Sequence, residues 1–550
     1  MTPSPNAISP LLFFLVLPAF VVPSSYGIEI TVQPGVDLLP QALAKRRALG
    51  FKLEENVNII LEPGEHRLTT PLILGPEDGG DGSYEVKFYG ENATISGGFE
   101  ITGWNLQKGS KNIWEAPFPE VQHVNLTDIG PRMQMWRGTE RLQLARSALL
   151  RYENCSREWI QFRATDVREE YYQQDDVLLV LYEKWVMDFN RIKTIVPENR
   201  TLFFSIPNFS PSDPDGGGSR YYILNAIEHL DEPGEFYMDT AKRKIMLFLE
   251  EGDDPNNAEE GQGEGASQGE GFYVSDITSL VELQGNTSKA VSNVTFENLN
   301  FAYTSVESFY INAGGYGVWS NMETRNITIA SNVLTDLGAG GIRVGRGDAI
   351  TDNVQYISVS DNVLEDGGHV RGVVAESFSR LDTAQRNQLL PVQWDIHRMD
   401  LGVGSRRSIS VAVMLIQYSP TVVHDIVIER NYLHDLGLGY LSDMGCVYTL
   451  GHQPNSRVSN NLCTDVQSYG YGGWGYYTDE GSRDILFENN VAAYTKSAGL
   501  FQHYGTDNVI TNSIFYNVNI GDLPTPGRKE IIMNGSADAS IRSGQAGREM

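Results

Sequence analysis

The chain reads as an all-β protein, a parallel β-helix interrupted by an inserted β-rich domain, and three observations point there. Strand phrases with apolar residues at period two recur: Val294-Thr-Phe-Glu-Asn298, Ile327-Thr-Ile-Ala-Ser-Asn332, Ile357-Ser-Val-Ser-Asp-Asn362, Ile426-Val-Ile-Glu-Arg-Asn431 and Ile485-Leu-Phe-Glu-Asn-Asn490. A second phrase occurs three times, as Gly439-Tyr-Leu-Ser-Asp443-Met-Gly445, Gly475-Tyr-Tyr-Thr-Asp479-Glu-Gly481 and Gly499-Leu-Phe-Gln-His503-Tyr-Gly505. Repeats at a period of a few tens of residues mean stacked coils of chain. The composition agrees, with 55 glycines and only 20% charged residues among 550, which suits turn-rich β structure. Such a fold grows by repetition, so the length fits one elongated body plus an insertion.

Residues 1–27 read as a signal peptide, with an apolar run over 11–22, interrupted by Pro18, ahead of Ser24-Ser25-Tyr26-Gly27. The run is too short to span a membrane comfortably, and the expectation is a secreted, extracellular protein with no membrane association after signal removal. Sequons at Asn92, Asn125, Asn154, Asn199, Asn208, Asn286, Asn293, Asn326 and Asn534 agree with that route.

Residues 28–100 hold short β runs, with a helix expected over 37–49 that caps the open end of the solenoid. Residues 101–250 break the rhythm and read as the inserted domain. The acidic, Gly-rich stretch 251–271 has almost nothing apolar to bury and reads as a disordered loop. The solenoid resumes over 272–519, and 520–550 read as an irregular tail, with the expectation of an incomplete carboxyl terminus and an uncapped solenoid end. The Asn closing each strand phrase is the residue that best tolerates a left-handed turn, and stacked Asn side chains can hydrogen-bond one another. Of the three cysteines, Cys446 and Cys463 fall on successive coils, where they either pair or stack as small apolar side chains; an interior position favours stacking.

The formal charge of −28 argues against nucleic acid or an anionic membrane as partner, and disfavours a strongly anionic polysaccharide. In the stacked phrase Asp443, Asp479 and His503 share one slot, so they line a column. The Asn register adds Glu376, through Gly372-Val-Val-Ala-Glu376, although 377–421 has no place in the pattern. Carboxylates on neighbouring coils would lie about 5 Å apart or farther, which brackets the separations that glycoside hydrolysis uses. Mutual repulsion splits their pKa values, so one serves as acid and the other as nucleophile or base. Asp is also a common turn former, and a column of turns collects it without function. The aromatic surroundings, Trp474, Tyr476, Tyr477, Tyr469, Tyr471 and Tyr504, favour a sugar platform, while Glu480 is a second carboxylate candidate on the opposite side of an extended segment. The Asn register also makes 468–473 a loop beside the column.

The blocks Asp443-Met-Gly-Cys-Val-Tyr448-Thr-Leu-Gly451, Tyr471-Gly-Gly-Trp-Gly-Tyr-Tyr-Thr-Asp-Glu-Gly-Ser482 and Gln502-His-Tyr-Gly505 resemble those of secreted right-handed parallel β-helix proteins related to glycoside hydrolase family 141, of pectate-lyase-like architecture. The early phrases Asn92-Ala-Thr-Ile-Ser-Gly-Gly98 and Leu230-Asp-Glu-Pro-Gly-Glu-Phe-Tyr237 fit the same family. The resemblance implies α-L-fucosidase or xylanase-type activity on a neutral glycan, with Asp443 and Asp479 catalytic. Tyr448, Trp474, Tyr477, Gln502, His503, Glu480 and Glu376 are then the candidate substrate-binding residues. No metal or cofactor is expected, and the partner is a polysaccharide or oligosaccharide bound by a monomer. The alternatives are a polysaccharide lyase on the same fold, for which nearby cations are limited to Arg483 and Lys496, and a non-catalytic carbohydrate-binding protein.

Overall fold

The computed structural model describes residues 27–118, 134–138, 140–163, 165–182, 187–207, 220–257, 271–275, 277–286, 288–305, 316–335, 340–344, 353–364, 373–375, 411–413, 424–436, 442, 445–449, 452–479, 482–503, 505–516, 530–533 and 535–537. They form a parallel β-helix of three faces, with the right-handed coiling that parallel crossovers adopt. The first face stacks Gly27–Val32, Asn56–Leu61, the start of Val86–Ser96, the start of Val291–Ala302, Thr324–Ala330, Val354–Ser360, His424–Glu429, His452–Ser459, Arg483–Glu488 and Val509–Thr511. The second face runs beside it from Gly35–Val36 to Ser513–Tyr516. The third stacks Leu72–Leu74, Ser279–Gln284, Tyr316–Met322, Gly340–Val344, Val373–Ala375, Val411–Val413, Gly445–Thr449, Trp474–Thr478 and Leu500–His503. Val411–Val413 comes from the stretch that fits no repeat, and it adds a rung to the third face alone.

Period-two patterning fills the coil. Inward positions of the first face supply Ile59, Phe88, Phe296, Ile329, Val359, Ile428, Val458 and Phe487, each at most 2% exposed. The helix Leu39–Ala48 turns Leu39, Ala42 and Leu43 into the same core at the amino-terminal end.

Asn332, Asn362, Asn431, Asn461 and Asn490 are buried and stacked. The backbone N–H of each donates to the side-chain oxygen of the next, at 3.0–3.2 Å, and the last, Asn490, donates to Ser513 Oγ at 3.3 Å. Each Nδ2 donates to a carbonyl of the preceding coil, for example Asn431 to Val359 at 3.1 Å. The left-handed turn, however, falls one residue earlier, at Ser331, Asp361, Arg430, Asn460 and Asn489, all with φ between 55° and 58°. The asparagine therefore serves as a hydrogen-bonding core residue and its predecessor makes the turn. Only in the first phrase does the Asn itself turn, at Asn298, where Leu299 takes the buried slot.

Cys446 and Cys463 are joined in a disulfide between the third and second faces, with Cα atoms 6.3 Å apart, rather than merely stacked. Facing positions across a narrow coil bring the two thiols within bonding reach.

The insertion leaves after Val86–Ser96 and rejoins at Ser279–Gln284. Phe272–Ser275, which the strand pattern assigns to the solenoid, pairs antiparallel with Gly98–Ile101 and belongs to the insertion. Four-, five- and seven-stranded sheets build the domain around its own cores. The disordered loop expected over 251–271 falls largely outside the described residues, as does the signal segment. The tail is not wholly irregular, because Glu530–Met533 and Gly535–Ala537 pair antiparallel with Leu500–His503 and with 513–515, covering part of the edge. Among the described residues no helix is long and apolar enough to cross a membrane.

Asn431→Ala removes bonds to two coils at once and strands buried partners, so a loss of about 2–4 kcal/mol is expected by urea unfolding. His66 is 2% exposed inside the coil, and burial holds its pKa below the usual 6.5, opposed by a hydrogen bond to Glu62 O. Protonation is thus costlier in the folded chain, so stability is full above pH 6.5 and falls as the pH drops below it. His66→Gln is expected to flatten that slope in a series of melts.

Candidate active site

On the third face Tyr476, Tyr477 and Thr478 pair with Leu500, Phe501 and Gln502, and the next position along the same two strands sets Asp479 beside His503. Asp479 is 1% exposed. Its Oδ1 lies 2.7 Å from His503 Nδ1, and its Oδ2 accepts the Tyr448 hydroxyl proton at 2.5 Å. Its backbone is held as well, the N–H donating to Thr449 O and the C=O accepting from Ser482 N–H, both at 2.9 Å. The Asp479 carboxylate facing Nδ1 orients the ring and directs Nε2 of His503 away from Asp479, where that nitrogen is itself buried. The arrangement is a desolvated carboxylate with two donors, one of them an imidazole that keeps 19% of its side chain exposed.

An aromatic wall carries this group. Trp474 stacks on Phe501 at 4.1 Å, Phe501 lies nearly parallel to the His503 ring at 6.1 Å, and Tyr477 meets Tyr448 edge-on at 4.6 Å. Trp474, Tyr448 and Tyr477 are at most 2% exposed, so they form a packed wall that orients His503 and Asp479 instead of an open platform. Gln502 is 2% exposed and turns into the coil, its Nε2 donating to Gly505 O and its Oε1 accepting from Asn508, both at 3.2 Å. It anchors the chain at Gly505 and Asn508. The repeated glycines have a steric cause, because a Cβ at Gly475 would meet Ala492 Cβ at 2.5 Å and one at Gly499 would meet the Phe515 ring at 2.3 Å.

The register corrects one alignment. Gly445 pairs with Trp474 and Thr449 with Thr478, so the phrase copy that contains Asp443 precedes its strand and does not align with Gly475-Tyr-Tyr-Thr-Asp479. Aligning copies by glycine spacing misplaces it, since the strand start at Gly445 mimics the start at Gly475. Asp443, Glu480 and Glu376 lie outside the described residues, whereas the other candidates, Asp479, His503, Tyr448, Tyr477, Trp474 and Gln502, gather within three neighbouring rungs. Phe501, which bridges Trp474 and His503, is not among the sequence candidates; its place in the third phrase copy is the available signal. Arg483 is engaged by His452 and Asp484, and Lys496 reaches Ser468 Oγ and the Tyr469 and Gly470 carbonyls. Among the described residues no group of three or more His, Cys, Asp or Glu could hold a metal ion.

No family model matches the chain, and neither does any curated protein. Among solved structures, one described as a glycoside hydrolase superposes with a TM-score of 0.57 at 17% identity, covering 90% of this chain and 97% of that one. XylC in complex with xylose gives 0.38 at 10% identity, over 90% of this chain and 70% of that one. An exopolygalacturonase from Thermotoga maritima gives 0.30 at 10%, over 92% and 94%. The first likeness establishes the fold, and the other two are too loose to bear on it.

Tyr448→Phe removes a donor to a buried carboxylate and is expected to cost about 1.5–3 kcal/mol in urea unfolding. Asp479→Ala, which strands two donors, should cost at least as much.

Proposed function

We propose that the chain is a glycoside hydrolase acting on a neutral glycan of fucoside or xylan type, with Asp479 and His503 as its acid–base centre and Tyr448 as the group that positions Asp479. The observation that carries this reading is the buried Asp479 carboxylate held between Tyr448 and His503 on an outer rung of the solenoid. The fold-level likeness to a glycoside hydrolase supports it by analogy. Hydrolysis needs a second group across the scissile bond. Asp443 and Glu480 are the carboxylates that the sequence offers beside Asp479, and the register favours neither by stacking. The lyase alternative wants a cation beside an anionic sugar, and the engagement of Arg483 and Lys496 elsewhere weighs against it.

Reducing-sugar release on fucosylated glycans, xylans and uronate polymers tests the reading. Asp479→Asn and His503→Gln should each lower kcat by about 10²–10⁴, with folding intact by circular dichroism. Of Asp443→Asn and Glu480→Gln, the one that matches this loss marks the second carboxylate. Unsaturated products from a uronate polymer, or full activity in Asp479→Asn, would overturn the proposal.

A further inference from the structure

The inserted domain touches the solenoid at several places, at Tyr303 for example, and one contact involves the loop that leads into the Asp479 strand. Arg151 and Arg220 are direct cross-strand partners in its seven-stranded sheet. Both reach Tyr469, on the loop 468–473 of the solenoid. Arg151 Nη2 donates to the Tyr469 hydroxyl at 3.1 Å, and the Arg220 guanidinium lies over the Tyr469 ring at 3.4 Å while facing Tyr182 at 5.1 Å. Arg220 is 2% exposed, so this cation–π contact is desolvated and strong for its kind. The hydrogen bond from Arg151, helped by the charge of Arg220, holds the Tyr469 phenol below its ordinary pKa.

Further contacts fix the same loop from the coils on either side. Lys496 Nζ donates to Ser468 Oγ at 3.0 Å and Tyr469 O at 3.1 Å, Ser497 Oγ donates to Gly472 O at 2.7 Å, and Gly470 N–H donates to Ser442 Oγ at 3.0 Å. Ser442 directly precedes Asp443, and the loop runs directly into the strand Trp474–Thr478 that leads to Asp479. A Gly-rich loop with this many anchors is built to be held, yet Tyr469 keeps 39% of its surface exposed.

Building on the hydrolase reading, we propose that the inserted domain is a specificity element: Arg151 and Arg220 clasp Tyr469 so that its uncovered side stacks a sugar ring of the glycan beyond the bond being cleaved. Arg151 and Arg220 are positioning residues, acting through Tyr469, and the ligand is a neutral oligosaccharide long enough to reach from Asp479 to the loop.

The test compares a longer oligosaccharide with a short aryl glycoside in Arg151→Ala, Tyr469→Ala and Tyr469→Phe, alongside hydrogen–deuterium exchange of the amides in 468–473. Tyr469→Ala and Arg151→Ala should raise KM for the longer substrate about tenfold with kcat within about twofold, and leave the short one unchanged. Tyr469→Phe keeps the ring, so its KM should shift by less than about threefold. Exchange of the loop should quicken in Arg151→Ala. Unchanged exchange in Arg151→Ala, or unchanged KM in Tyr469→Ala, would overturn the clasp. A wild type that turns over no glycan would sink the hydrolase reading alone. Calorimetric binding of the same oligosaccharide then decides the clasp: weaker binding by Tyr469→Ala upholds it and equal binding overturns it.

Discussion

A buried amide is costly unless its hydrogen bonds are made, and the asparagines from Asn332 to Asn490 make theirs to the coils on either side. Sliding one coil by a residue would leave several buried donors without acceptors and turn the inward apolar set outward. Coil register is therefore fixed tightly, and the site inherits that precision. Asp479 stands beside His503, and Tyr448 one rung away, because the second face cannot slip. The Cys446–Cys463 disulfide ties the third face to the second close to the same rungs.

Burial decides what Asp479 can be. A carboxylate at 1% exposure persists only with donors aimed at it, and Tyr448 and His503 provide them on opposite oxygens. The packed rings of Trp474, Phe501 and Tyr477 exclude water from behind the group and restrict the imidazole to one orientation. Glycine at Gly475 and Gly499 lets the third face approach the second closely, at Ala492 and Phe515. Groups held this way need little reorganisation, which is what the proposed acid–base role requires.

Much of this is legible in the residues. Period-two phrases place the first face, and the Gly475 and Gly499 copies place Asp479 against His503, because strand stacking is a local, repeating constraint. Other features are not. The glycine of the Asp443 copy suggests a false alignment, because register is set by the whole strand, and Gly445 with Val447 and Thr449 carries the pairing. The clasp of Arg151 and Arg220 on Tyr469 joins segments far apart in the chain, which no periodicity encodes. Likewise the left-handed turn sits on Ser331, Asp361 and Arg430, where backbone geometry and not residue type announces it.

The most direct measurement is a crystal structure of Asp479→Asn soaked with the oligosaccharide that the wild type cleaves fastest. The account predicts sugar density across the third face, with a glycosidic oxygen within hydrogen-bonding distance of the side chain at position 479 or of His503 Nε2. Well-ordered sugar bound elsewhere on the solenoid, with Tyr448, position 479 and His503 all untouched, would contradict it.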